Sequence, residues 1–198
     1  MASDLRKYGR DFLRWVDRGL VEHTDEGALL GGAVMARGMY RVFSAEGDLL
    51  EEKSNVVPTE GLNYFITTGL LGGPPVAQWY LALFSGAVTP DATWTAATFP
   101  STASEITSNT EGYSNPTRVL WTPSTTITQP IATNINNLAA FNIVSASSVT
   151  ITGAALLSSS AKGSTTGVLV SATRFNQPYT MNNGSTYLLG YEVQLLDV

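Results

Sequence analysis

Residues 78–85 read QWYLALFS, with Trp79, Leu81 and Leu83 on one side of an alternation and Tyr80, Ala82 and Phe84 on the other. Gly72, Gly73, Pro74 and Pro75 precede the run, and Gly86 and Pro90 follow it. Apolar and aromatic residues on both faces of a period-2 segment between breakers predict a strand covered on both sides. A strand of that kind needs neighbouring strands and two covering layers, and this constrains the rest of the chain to supply them.

The residues downstream are suited to that task. Short apolar segments recur at 118–122, 138–143, 150–157, 167–175 and 185–193, with turn residues between them and no intervening helical pattern. Upstream, residues 39–44 and 49–53 flank Ala45-Glu46-Gly47-Asp48, a hairpin signature. Thr59 can cap a helix over 59–71 that Gly72-Gly73 end, with Leu62, Phe65, Ile66 and Leu70 as its expected buried stripe. The expected fold class is mainly β, a β-sandwich or jelly-roll-like body carrying one short helix.

Charge divides the chain. Residues 1–53 hold eight of the eleven Lys and Arg and ten of the sixteen Asp and Glu. The boundary is placed between an N-terminal arm, 1–38, and the body, 39–198. In the arm, Ser3 or Asp4 can cap a helix running to Arg18, whose stripe of Leu5, Tyr8, Phe12, Trp15 and Val16 is flanked by Arg6, Lys7, Arg10, Asp11 and Arg14. A basic amphipathic helix of this kind suits a membrane or nucleic acid, or docks on its own body or on a neighbouring subunit; Asp11 and Asp17 dilute its positive charge and favour the docking reading. Residues 21–38 read as a glycine-rich, irregular connector. Residues 86–117, rich in Thr, Ser and Asn, read as a long binding loop, lid or assembly arm, with Trp94 as an interface anchor and Tyr113 beside it.

Chemistry is sparse. Only 14% of residues are charged, against about 25% in an average soluble domain, and the net charge of −5 argues against a nucleic-acid surface. No cysteine is present, and the single histidine, His23, lies beside Glu22 and Asp25 without other ligands at metal-binding spacing. Glu105 and Glu111 are the one close carboxylate pair of the body, set in a polar loop. Asn134, Asn136 and Asn137 lack the carboxylate that calcium needs, and SAKGSTTG (160–167) lacks phosphate-loop spacing. The expectation is therefore no catalytic, cofactor-binding or metal-binding residue, no membrane span, and a structural or interaction role.

One resemblance covers residues 39–193. The segments MYRVFSAEGDLL (39–50), NVVPTEGLNYF (55–65) and QWYLALFS carry its first part. Glu105-Ile106, Gly112-Tyr113, the strand at 118–121, Asn136-Asn137, Ala140-Phe141, GAALLSSSAKGSTTGVL (153–169) and GSTYLLGYEV (184–193) follow in order. In this order of pieces the chain resembles small tailed-bacteriophage virion proteins, the capsid decoration or cement proteins. Ala82 stands where that pattern has glycine, and residues 1–38 have no counterpart in it. The resemblance implies a non-enzymatic virion protein, assembled in the host cytoplasm onto the capsid exterior. It would act as a dimer or trimer, bridging major capsid protein subunits. Its alternatives are a neck, tail or head-fibre protein, or a carbohydrate-binding β-sandwich for host attachment with Trp94 and Tyr113 as platform.

Overall fold

A computed structural model describes residues 21–24, 27–30, 34–124 and 129–197. The expected helix of the arm, with Leu5, Tyr8, Phe12 and Trp15, lies outside the described residues. The chain divides into two compact units, Met1–Met35 with Leu195–Val198, and Ala36–Gln194.

The first unit contains a hairpin where an irregular connector was expected. Strands β1 (Val21–Thr24) and β2 (Gly27–Leu30) pair antiparallel from Val21↔Leu30 to Thr24↔Gly27. His23 falls in β1. Only Asp25 and Glu26 separate the strands, and Gly27 follows them, a composition suited to a tight hairpin.

The larger unit is built of two antiparallel sheets. Strand β3 (Val34–Phe43) begins earlier than the expected Met39 and pairs with β4 (Leu49–Ser54) through the anticipated hairpin. Gly47 there has φ 94°, and the Ser44 hydroxyl accepts from the amides of Glu46 and Asp48, closing the turn. Helix α1 (Thr59–Leu70) and strand β5 (Trp79–Phe84) come next. After them come the short helix α2 (Phe99–Ala103), then β6 (Gly112–Tyr113), β7 (Val119–Trp121) and β8 (Ile131–Thr133). Strands β9 (Ala139–Val144), β10 (Ser148–Leu157), β11 (Leu169–Asn182) and β12 (Thr186–Asp197) complete the chain. The sheets run β11-β10-β5-β7 and β4-β3-β12-β9-β6, with β8 also paired to β12.

Strand β5 is interior, between β10 and β7, and Leu81, Ala82, Leu83 and Phe84 have no exposed surface. Its two faces enter different clusters. Leu81 and Leu83 join the main core, which draws Tyr40, Phe141, Ile143, Tyr187 and Tyr191 from the second sheet. Ala82 and Phe84 face Trp94, Phe99, Ala155 and Leu169 on the other side of the sheet. The expected lid or arm at 86–117 is thus corrected: this segment contains α2 and covers the outer face of β5. Trp94 and Phe99 meet Phe84 edge-on, each with ring centroids 6.1 Å away. Without that cover β5 would leave one apolar face in water.

Candidate interaction surface and the buried charge knot

Helix α1 meets the sheets by a face other than the one its large aliphatic residues mark. Gly61 is buried, and a Cβ there would stand 2.8 Å from the Val170 carbonyl oxygen, so glycine lets helix and strand backbones approach. Tyr64 and Phe65 pack on the core beside it, Tyr64 edge-on to Trp79 at 5.2 Å. The Tyr64 hydroxyl accepts from the Val76 amide at 2.8 Å, which ties down the return from α1 to β5. At the start of the helix, Oε2 of Glu60 accepts from the amides of Ala96 at 2.8 Å and Leu169 at 2.6 Å, clamping helix, cover and strand together.

That docking turns the expected inward stripe outward. Leu62, Ile66 and Leu70 are 43%, 52% and 81% exposed, and the next residue, Leu71, is 73% exposed. Of the four predicted stripe residues only Phe65 packs inward. Three turns of helix therefore present an apolar ridge at i, i+4 and i+8 to solvent. Asn63, Thr67 and Gly69 are the exposed residues beside it, and no Asp, Glu, Lys or Arg occurs anywhere between residues 61 and 90. Isolated exposed apolar residues are ordinary, but a contiguous apolar ridge without charge marks a contact surface.

The predicted anchors Trp94 and Tyr113 are elsewhere. They are 3% and 1% exposed, inside the outer cover and the main core respectively. Neither ring faces solvent, and the exposed aromatic platform for a glycan is not there. The segment around both positions is polar, and the aromatic residues are its inward anchors.

The densest polar constellation lies at the opposite extreme of burial. Arg118 and Glu105 form a two-pronged ion pair, Nε to Oε1 and Nη2 to Oε2, each at 2.8 Å, with both side chains wholly inaccessible. Arg118 also donates to the carbonyls of Ser159 and Ser164, and Glu105 accepts from the Gly163 amide. The guanidinium lies 5.8 Å from the centre of the Phe99 ring. Lys162, in the SAKGSTTG segment, joins the knot. Its Nζ sits 3.5 Å over the Tyr113 ring and donates to Asn109 Oδ1 at 2.6 Å and the Tyr113 carbonyl at 2.7 Å. Burial pulls its pKa down to about 8, against the nearby Glu105 carboxylate, which favours the charged form. Burial also raises the Tyr113 hydroxyl, with Glu105 adding to the rise and Arg118 opposing it. Arg118 thus fastens the loop 159–164 to the segment that begins at β7, and Lys162 fastens it to residues 109–113.

The carboxylate pair Glu105 and Glu111 borders one open cleft of about 440 Å³ with Ser85, Ser108, Ser145 and Ser148. Glu105 is committed to Arg118 and Gly163. Glu111 accepts from the Ser145 hydroxyl and the Ala146 amide, so both carboxylates act as acceptors that hold loops. Asn134 is buried and likewise structural, its Oδ1 taking the Tyr191 amide at 2.7 Å. Among the described residues no group of three His, Cys, Asp or Glu could hold a metal ion. Nor, among them, is any helix long and apolar enough to cross a membrane. No protein-family model matches the sequence, and no curated protein matches it.

Proposed function

We propose that this chain is a non-enzymatic structural protein of a tailed-phage particle, a decoration protein that stabilises the capsid by bridging major capsid protein subunits. In this reading the two antiparallel sheets are a β-sandwich of jelly-roll type, preceded by a helical arm. The observation that carries a contact role is the uncharged apolar ridge of Leu62, Ile66 and Leu70 on a helix clamped to the body by Glu60 and Gly61. The capsid station comes from the resemblance of residues 39–193 described above. The composition agrees: only 14% of residues are charged, Ser and Thr are abundant, and modest contacts gain strength when repeated over a lattice.

The test is the amount of this chain relative to the major capsid protein in purified particles, followed by addition of the purified chain to undecorated capsids. Hundreds of copies per particle and saturable binding are the expected results. A copy number of about a dozen or fewer moves the protein to the neck, tail or a head fibre, and absence from particles overturns the reading.

A further inference from the structure

We propose that Lys162 and Asn109 form a cross-linking site, at which the lysine Nζ and the asparagine Cγ join in an amide bond that staples the loop 159–164 to the turn 108–111. This goes beyond the virion reading and does not depend on it. The structure shows the pair before reaction, with Nζ donating to Asn109 Oδ1 at 2.6 Å. A carbonyl bond is about 1.23 Å long, so Nζ stands no more than about 3.8 Å from Cγ, close to the roughly 3–3.5 Å of an attacking pair. Both partners are held there. Nζ also donates to the Tyr113 carbonyl at 2.7 Å and sits 3.5 Å over the Tyr113 ring. Gly163, at φ 71°, turns the chain directly after Lys162, and Glu105 accepts from its amide. On the other side the Ser108 hydroxyl accepts from the amides of Thr110 and Glu111, which fixes the turn that carries Asn109. Two reactants pinned by their own backbones meet without the entropy cost of a bimolecular encounter.

An amine attacks only with its lone pair free. Burial lowers the Lys162 pKa to about 8, so roughly a tenth of these amines are unprotonated at pH 7, roughly 300-fold more than at an ordinary lysine. The titratable groups facing Nζ are Tyr113, whose hydroxyl is raised by burial, and Glu105, itself paired with Arg118. The neutral Nζ attacks Cγ: a C–N bond forms and the carbonyl electron pair moves to Oδ1. A proton passes from Nζ to Nδ2 through solvent, which reaches Asn109 because that residue is exposed. The pair on Oδ1 restores the carbonyl, the Cγ–Nδ2 bond breaks, and ammonia leaves. No oxidant or reductant takes part, and the chain becomes lighter by one ammonia, about 17 Da.

The position gives the bond a use. Lys162 and Asn109 are 53 residues apart, and the chain has no cysteine with which a disulfide could close that loop. An amide closes it whatever the redox conditions, and a closed loop of this length restricts the unfolded chain. The unfolded chain does not hold the two groups together, so the bond follows folding of the knot and then locks it. Lys162 titrates as an amine only while the bond is open.

Intact-mass spectrometry of the purified full-length chain, incubated between about pH 6 and 9, reads the bond directly. The expected result is a loss of about 17 Da that grows with time. Its rate should rise about tenfold per pH unit below pH 8 and level off above it. Proteolysis of the lighter form should release a branched peptide that joins residues 109 and 162. Lys162→Arg, which keeps the charge but brings no attacking amine, should stay at full mass, and so should Asn109→Ala. The closed form should melt roughly 5–10 °C above the open one. A chain that keeps its full mass at every pH overturns the proposal, as does a rate indifferent to pH. The same loss surviving in Lys162→Arg overturns it too, and assigns the missing ammonia to a succinimide at Asn183-Gly184, the one Asn-Gly pair of the sequence.

Discussion

The α1 face and the Arg118 knot are opposite solutions within one body. The helix leaves four aliphatic side chains in water while the loops around residue 118 take a guanidinium, a carboxylate and part of an ammonium out of it. Burying a charge costs several kcal/mol unless it is paired and its remaining hydrogen bonds are made, and here nearly every donor of Arg118 is satisfied. The knot joins three stretches, near 105, 118 and 159–164, that no strand ladder holds together over their whole length. An exposed apolar ridge does nothing for the fold of the copy that carries it. The contrast assigns the knot to holding the body, while the ridge takes no part in it.

The strongest way to break that contrast is to unpair the knot. Arg118→Met keeps much of the stem volume but leaves Glu105 buried with only the Gly163 amide, and should cost about 3–5 kcal/mol in urea melts. Adding Glu105→Leu should recover part of the loss, because two apolar side chains of similar size remove the uncompensated charge. The Ser159 and Ser164 carbonyls would still lack their donor, so recovery is incomplete. If Glu105→Leu costs as much stability in the Arg118→Met background as it does alone, the pair is not acting as a coupled unit.

Glu60 gives a second, smaller comparison, between a helix clamp and a helix face. Glu60→Ala strands the amides of Ala96 and Leu169 and should cost about 2 kcal/mol. Glu60→Gln should cost about half as much, since one amide oxygen can accept both bonds as Oε2 does now. Equal losses in the two variants would mean that the negative charge matters rather than the acceptor.

These residues also show where the sequence is readable. Strand β5 was legible because aromatic alternation between breakers leaves one solution, and its double burial follows from apolar residues on both faces. The limits of α1 were legible from Thr59 and Gly72, but its orientation was not. Counting large aliphatics selects Leu62, Ile66 and Leu70, whereas the helix docks through a glycine and two aromatic residues. A glycine contact leaves no trace in hydrophobic periodicity. The pairing of Glu105 with Arg118 was hidden for another reason, since it spans 13 positions and two loops. A clue existed: with three basic residues in the last 145, an arginine heading the apolar strand Val119–Trp121 has little reason to be there unless it is buried and paired.

The smallest predicted effect asks whether the knot is strained by its third charge. Lys162 has its pKa lowered from 10.5 to about 8 by burial, so the folded state favours its neutral form more than the unfolded chain does. Between pH 8 and about 10 the unfolded chain therefore binds more protons at this site, and stability rises with pH. Because Lys162 keeps a route to solvent, the rise should stay below about 1 kcal/mol. Above pH 10 the sign reverses. Burial raises the hydroxyls of Tyr40 and Tyr187, so the unfolded chain releases those protons first and stability falls. Urea melts of the unmodified chain from pH 7 to 11, in steps of about half a unit, should therefore pass through a shallow maximum near pH 10. Lys162→Met should lack the rising limb and keep the falling one. A rising limb of equal height in both proteins would place its source elsewhere. Loss of the rise in the variant would mean that the knot holds its lysine at a cost, with Arg118 and Glu105 as the pair that makes it stable.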